Sequence, residues 1–135
     1  MKIYITARFK GNENKEELEE LCEAVKASGM EDFCFIRDVE NYQKIFEEPK
    51  FLWNRAKFEL KKCDALLVDV TDAPSDGRIA EAGMAYAIGL PIFVIVKNNV
   101  EYKPLFSGIA TKIITYDKYQ DITEPLAEYL KDINP

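Results

Sequence analysis

Two hydrophobic periods alternate along this chain. Residues 2–6, Lys-Ile-Tyr-Ile-Thr, form a short β-branched and aromatic run followed by a polar loop containing Gly11, and together they predict a first strand. Leu18, Leu21, Cys22 and Val25 then repeat at helical spacing, with Asn14 and Glu17 in the form of a capping box and Gly29 where a C-terminal cap belongs. A second strand is expected over 32–36. Residues 37–48 carry no sustained period and read as a long connection, which in a compact domain usually overhangs a site. Pro49 suits a first helical turn, and Leu52, Ala56, Leu60 and Cys63 give a second amphipathic helix. The run 65–70 is nearly all apolar, as a strand covered on both faces would be. A helix over 78–89, a buried strand over 92–96, a shorter strand over 112–115 and a last helix over 122–131 complete the pattern. No internal repeat or low-complexity tract interrupts it.

Strands that alternate with helices imply a parallel sheet with right-handed crossovers and helices on both faces. Five such units fit an α/β, flavodoxin-like doubly wound sheet in the order 2-1-3-4-5. Ligands of such sheets bind outside the carboxyl ends of the strands, where the winding reverses between strands one and three. The loops expected to matter are therefore 7–14 and 71–78.

Composition narrows the chemistry. The 135 residues suit one globular domain spanning 1–135. The first ten residues lack a secretory signal and no stretch approaches membrane-spanning length, so a cytoplasmic location and no membrane association are expected. Cys22, Cys34 and Cys63 are an odd number at wide spacing, which points to small core residues rather than a disulfide framework or a metal site. The chain has no histidine, so proton chemistry must rest on carboxylates, tyrosines or lysines. A net charge of −6 argues against nucleic acid as a partner, whose backbone demands many lysines and arginines. A small anion needs only a local cluster of donors. No metal and no cofactor are expected.

Residues 79–90 hold a single charged side chain, Glu81, so this helix is expected to lie largely buried against the sheet. A carboxylate in its first turn is favoured by the helix dipole, penalised by desolvation, and in need of hydrogen-bonding partners. It is either an ordinary acid at a helix N-terminus or a nucleophile or base facing the switch-point crevice. Asp72, Ser75, Asp76 and Gly77 precede the helix in a turn able to cradle a phosphate or sugar, or simply to cap the helix. Arg8 and Lys10 follow strand one and would lie across the crevice as anion contacts, or as solvated loop charges. Tyr4 is either core or a hydroxyl aimed at Glu81.

The string Ala-Leu-Leu-Val-Asp-Val-Thr-Asp-Ala-Pro-Ser-Asp-Gly-Arg-Ile-Ala-Glu-Ala-Gly-Met-Ala-Tyr-Ala-Ile-Gly-Leu-Pro, residues 65–91, resembles the nucleoside 2-deoxyribosyltransferase family and its relatives, the 2′-deoxynucleoside 5′-monophosphate N-hydrolases. The likeness extends over most of the chain in element order. It implies that Glu81 attacks the anomeric carbon of a small-molecule nucleoside or nucleotide to form a glycosyl ester, with Tyr4 hydrogen-bonded to it. Water as acceptor gives hydrolysis, and a second nucleobase gives transfer. Ser75 stands where the monophosphate hydrolases contact phosphate, and Lys10 where they place a phosphate-binding arginine. An acid that assists the departing base is replaced by Ala56, and bulky Ile79 stands where a small residue is usual. Leaving-group activation would then fall to Asp72 or Asp76, or be absent. The resemblance further implies a homodimer or larger homo-oligomer, with the segment around Lys103 to Gly108 as the candidate to complete a neighbour's site. The rival reading is a non-catalytic nucleotide-binding or sensing module of the same fold. A flavodoxin proper is disfavoured by the lack of a hydroxyl-rich loop after strand one, and a receiver domain by the lack of an acidic pair there.

Overall fold

A computed structural model describes Met1 to Asn134. Its elements run β1 (Lys2–Thr6), α1 (Lys15–Ala27), β2 (Glu31–Cys34), α2 (Phe35–Asp38), α3 (Pro49–Lys61), β3 (Ala65–Asp69), α4 (Asp76–Ala87), β4 (Ile92–Lys97), β5 (Lys112–Tyr116) and α5 (Thr123–Ile133), with short 3-10 turns before α1, β5 and α5. The five strands form one sheet in the order β2-β1-β3-β4-β5, every neighbouring pair parallel. This is the doubly wound α/β arrangement that the alternating periods predict.

Period two along β1 decides what each side chain meets. Ile3 and Ile5 pack with Leu18, Leu21 and Val25 of α1 and Leu126 of α5 on one face of the sheet. Tyr4 packs on the other face with Ala56 and Leu60 of α3 and Ala82 and Ala85 of α4. β3 is buried along its whole length and β4 along all but Lys97, as expected for strands covered on both sides. The three cysteines are free and buried, in keeping with a core role.

Three expectations change. The second strand stops at Cys34 instead of Ile36, and the chain turns at once into the short α2. Local side-chain pairing drives this: Asp38 accepts the backbone N–H of Cys34 at 2.9 Å, while Arg37 bridges Asp32 and Asp38, both at 2.8 Å. Asn14 does not cap α1 with its side chain. Its amide instead accepts from the Lys10 N–H at 2.6 Å and donates to the Arg8 carbonyl at 2.7 Å, which pins the loop after β1. Helix α4 is not largely buried. Only Arg78, Ala82 and Ala85 are enclosed, while Ile79 is 42% and Tyr86 60% exposed. Small side chains at Ala82 and Ala85 bring the helix close to the sheet and Met84 packs half-buried against the core, while Phe51 and Phe58 of α3 are likewise 54% and 56% exposed.

Candidate active site

Glu81 lies one turn into α4, on the side of the sheet that Tyr4 and Thr6 face from the central strand β1. Its carboxylate accepts a hydrogen bond from the Tyr4 hydroxyl on Oε2 and another from the Thr6 hydroxyl on Oε1, the latter at 2.8 Å. Both oxygens are thus fixed by side chains of one strand, two residues apart. Burial raises the Glu81 carboxyl above the ordinary glutamate range; the two hydroxyls oppose the rise, nearby Glu40 adds to it, and Arg78 opposes it. Burial, with the charge of Glu81 next, pushes the Tyr4 phenol far up as well, so it remains a donor.

These groups sit at a cavity of about 430 Å³ at the carboxyl end of β1, beside the turn from β3 into α4 where the winding of the sheet reverses. Its walls include Arg8 from the loop after β1, Phe35 and Ile36 from α2, Trp53 and Ala56 from α3, and Ser75, Gly77 and Arg78 at the start of α4. The connection 39–44 contributes Glu40, Tyr42, Gln43 and Lys44, so it does overhang the site as its length suggests.

The turn from β3 into α4 is held by two anchors. Asp69 is 4% exposed and accepts from the Tyr116 hydroxyl at 2.6 Å, the Tyr119 hydroxyl at 3.1 Å, the Thr71 hydroxyl at 2.6 Å and the Thr71 N–H at 3.0 Å. Buried Arg78 donates to the Asp69 carbonyl at 2.8 Å, to Asp72 at 3.0 Å and to the Ala73 carbonyl at 3.4 Å. Its Nε has no partner among the described residues. Ser75 is the N-cap of α4, its hydroxyl accepting the Arg78 N–H at 3.3 Å.

Of the residues singled out from sequence, Tyr4, Arg8, Ser75, Gly77 and Glu81 gather at this cavity. Arg8 bridges Asp72 at 3.2 Å. Asp72 and Lys10 line an adjoining depression of about 530 Å³, together with Asp69, Lys97 and Tyr116; Arg8 lines both spaces and stands between them. Asp76 is exposed in the first turn of α4 and Lys103 is exposed before the 3-10 turn Pro104–Gly108; neither lines the cavity. Thr6, Arg78 and Glu40 were not singled out by sequence. The alternation of β1 puts Thr6 on the Tyr4 face and so carried the signal for it. Arg78 read as an ordinary helix-start residue, and Glu40 lay in a stretch without a period. Among the described residues no group of three or more carboxylates or thiols gathers to hold a metal ion, and no helix is long and apolar enough to cross a membrane.

The same architecture recurs, over nearly the whole chain, in solved structures of the N-glycosidase and deoxyribosyltransferase group. The CMP N-glycosidase BcmB of Clostridium botulinum matches with a TM-score of 0.71 at 20% identity, over 96% of this chain and 99% of that one. A 2-deoxyribosyltransferase of Bacillus psychrosaccharolyticus matches with a TM-score of 0.72 at 16% identity, over 91% and 90%. The solution structure of BlsM matches with a TM-score of 0.73 at 18% identity, over 99% and 94%. At these identities the likeness establishes a common fold. Neither protein-family models nor curated proteins match the sequence.

Proposed function

We propose that this protein is an enzyme that cleaves or transfers at the N-glycosidic bond of a 2′-deoxynucleoside or its 5′-monophosphate, with Glu81 as the nucleophile. The observation that carries the reading is the Glu81 carboxylate itself, held at both oxygens by Tyr4 and Thr6 beside a cavity at the switch point. Those two bonds prevent the carboxylate from swinging away, and its half-buried position removes part of its water. A partly desolvated, oriented carboxylate stabilises the positive charge that develops at C1′ and then captures it as an ester. Water or a second base, entering from the side the first base has left, attacks C1′ and frees Glu81. Trp53, Phe35 and Leu52 offer apolar walls for a flat base. Arg8, with Ser75 and Gly77 at the α4 N-terminus, offers an anion contact that suits a 5′-phosphate. Its lean toward the monophosphate hydrolases rests on these residues and on Lys10 nearby.

The test is chromatographic detection of free base from a panel of 2′-deoxynucleosides and their 5′-monophosphates, with and without an acceptor base. Release that grows when an acceptor is added defines a transferase, and release indifferent to it a hydrolase. If phosphate is recognised through Arg8, then Arg8→Ala raises KM for monophosphates about tenfold, as the loss of one charge-assisted contact should, and leaves plain nucleosides unaffected. Equal effects on both substrate classes would remove Arg8 from that role.

One observation favours a second reading. Ala56 is buried in the cavity wall, at the place where an acid assisting the departing base is expected. A module that binds nucleotides without turning them over would tolerate it, and tight binding with no base release would identify one.

The exposed apolar face of α3 and α4 supports self-association through these helices. Leu105, 77% exposed beside Lys103, is then available to a neighbouring copy's cavity instead of its own. Sedimentation velocity should give at least a dimer, and Tyr86→Glu, placing a charge on an exposed apolar position of α4, should yield folded monomers. A wild-type protein that sediments as a monomer at micromolar concentration would remove this part of the reading.

A further inference from the structure

We infer that Glu40 is the acid that protonates the departing base, a role the buried Ala56 leaves empty; the inference rests on the glycosidic reading above. Glu40 and Glu81 line the same cavity from opposite origins, one on the connection after α2 and the other on α4. The charged groups that share that cavity with them are Arg8, Lys44 and Arg78. Glu81 has two hydroxyl donors, whereas the Glu40 carboxyl has no side-chain partner among the described residues. An acid that must give up a proton and later recover it is served by such an unoccupied, half-buried carboxyl.

The backbone around Glu40 is fixed in a way its sequence does not require. Asn41 and Tyr42 are consecutive non-glycine residues in the left-handed region, with φ of 48° and 61°. Such a pair costs free energy and persists only where the surroundings impose it, commonly at functional sites. Here the Glu40 N–H bonds the Phe35 carbonyl at 3.1 Å, the Tyr42 N–H bonds the Ile36 carbonyl at 2.8 Å, and the Gln43 N–H bonds the Glu40 carbonyl at 2.9 Å. The Tyr42 hydroxyl donates to Glu19 of α1 at 2.9 Å, tying the turn to the body of the domain. The turn thereby presents Glu40 to the cavity at a set position. Burial raises the Glu40 carboxyl above the ordinary glutamate range, as it does that of Glu81.

In the step assigned to it, a Glu81 oxygen forms a bond to C1′ as the bond from C1′ to the base nitrogen breaks. The electron pair of that bond goes to the base, and the Glu40 proton neutralises it. The Glu40 carboxylate then removes a proton from water, or from an acceptor base, as its oxygen or nitrogen attacks C1′ and the ester to Glu81 breaks. Glu40 ends protonated and Glu81 ends ionised, so both are restored.

Leaving-group dependence tests this. Wild type, Glu40→Gln, Glu40→Asp and Glu81→Gln are compared on an unmodified 2′-deoxynucleoside 5′-monophosphate and on a 2-deoxyribosyl 5-phosphate carrying 4-nitrophenol, which departs as a stable anion without a proton. The expected result is that Glu40→Gln lowers kcat/KM on the natural base by about 10²- to 10⁴-fold and stays within a few-fold of wild type on the nitrophenyl substrate. Glu40→Asp, which keeps an acid, should recover part of the loss, and Glu81→Gln should lose both substrates. Equal losses on both substrates in Glu40→Gln, or no loss on either, would overturn the role of Glu40 while leaving that of Glu81 intact. Failure of the glycosidic reading would instead show in the wild type, as no release from either substrate.

Discussion

Glu81→Gln is expected to abolish base release, with a loss on the order of 10³-fold or more, because the Gln oxygen can still accept one of the two hydroxyls of Tyr4 and Thr6 but the amide cannot form the ester. The fold should survive the change, and its stability should reveal the cost of keeping the nucleophile charged. The Glu81 carboxyl is raised in the folded protein above its ordinary value. The folded state therefore holds the proton more tightly than the unfolded chain does. Stability from this group is fully present below that ordinary value and is lost as pH rises through the raised one. Wild type should consequently lose stability relative to Glu81→Gln as pH climbs from about 4 toward neutrality, read from urea unfolding midpoints across that range. Two curves that run parallel would show that Glu81 titrates normally, and retained turnover in the variant would remove it as nucleophile.

Asp69→Ala should be the most damaging single change to the architecture of the site. The substitution takes the acceptor away from two tyrosine hydroxyls, the Thr71 hydroxyl and the Thr71 N–H in an enclosed place. Donors stranded away from water and the loss of charge-assisted bonds should together cost about 3 kcal/mol, which for a domain of this size lowers Tm by about 10 °C. Asp69→Asn, which keeps an acceptor oxygen, should lie between the two. Because Arg78 bonds the Asp69 carbonyl and Asp72 together, the damage should spread to the α4 N-terminus and weaken nucleotide binding as well. A melting temperature within about 2 °C of wild type would mean that the tyrosines find water or other partners and that this anchor matters little.

The fold was readable because the five strands and the four long helices announced themselves by period or by continuous apolar runs. β3 and β4 are continuous apolar runs with glycine or loop residues beyond them, and α1 and α3 carry apolar stripes. The end of β2 was not readable, because Phe35 and Ile36 suit a strand and only the Arg37–Asp38–Asp32 pairing turns them into a helix. The burial of α4 was overestimated for a related reason. An all-apolar helix signals that something covers each side, and in the single chain the outer side has no cover. Glu81 stood out as the lone acid of an apolar helix, whereas Tyr4 read equally well as core until the resemblance implied its bond to Glu81. Glu40 did not, since its placement depends on two left-handed residues that no local pattern encodes.

The cavity draws its walls from two kinds of structure. Glu81, Tyr4 and Thr6 belong to a central strand and to the helix packed on it, which are among the last parts of such a sheet to open. Glu40, Tyr42 and Lys44 belong to a twelve-residue connection, 37–48, tied down by α2, a few backbone bonds and the Tyr42 hydroxyl on Glu19. Under the proposed reading, the division separates the nucleophile from the groups that admit and protonate the base. Insertions or substitutions in that connection can reshape which base is admitted and which acid assists it while the strand that aims the carboxylate stays as it is, so a lineage built on this chain could change its substrate without first having to rebuild its nucleophile.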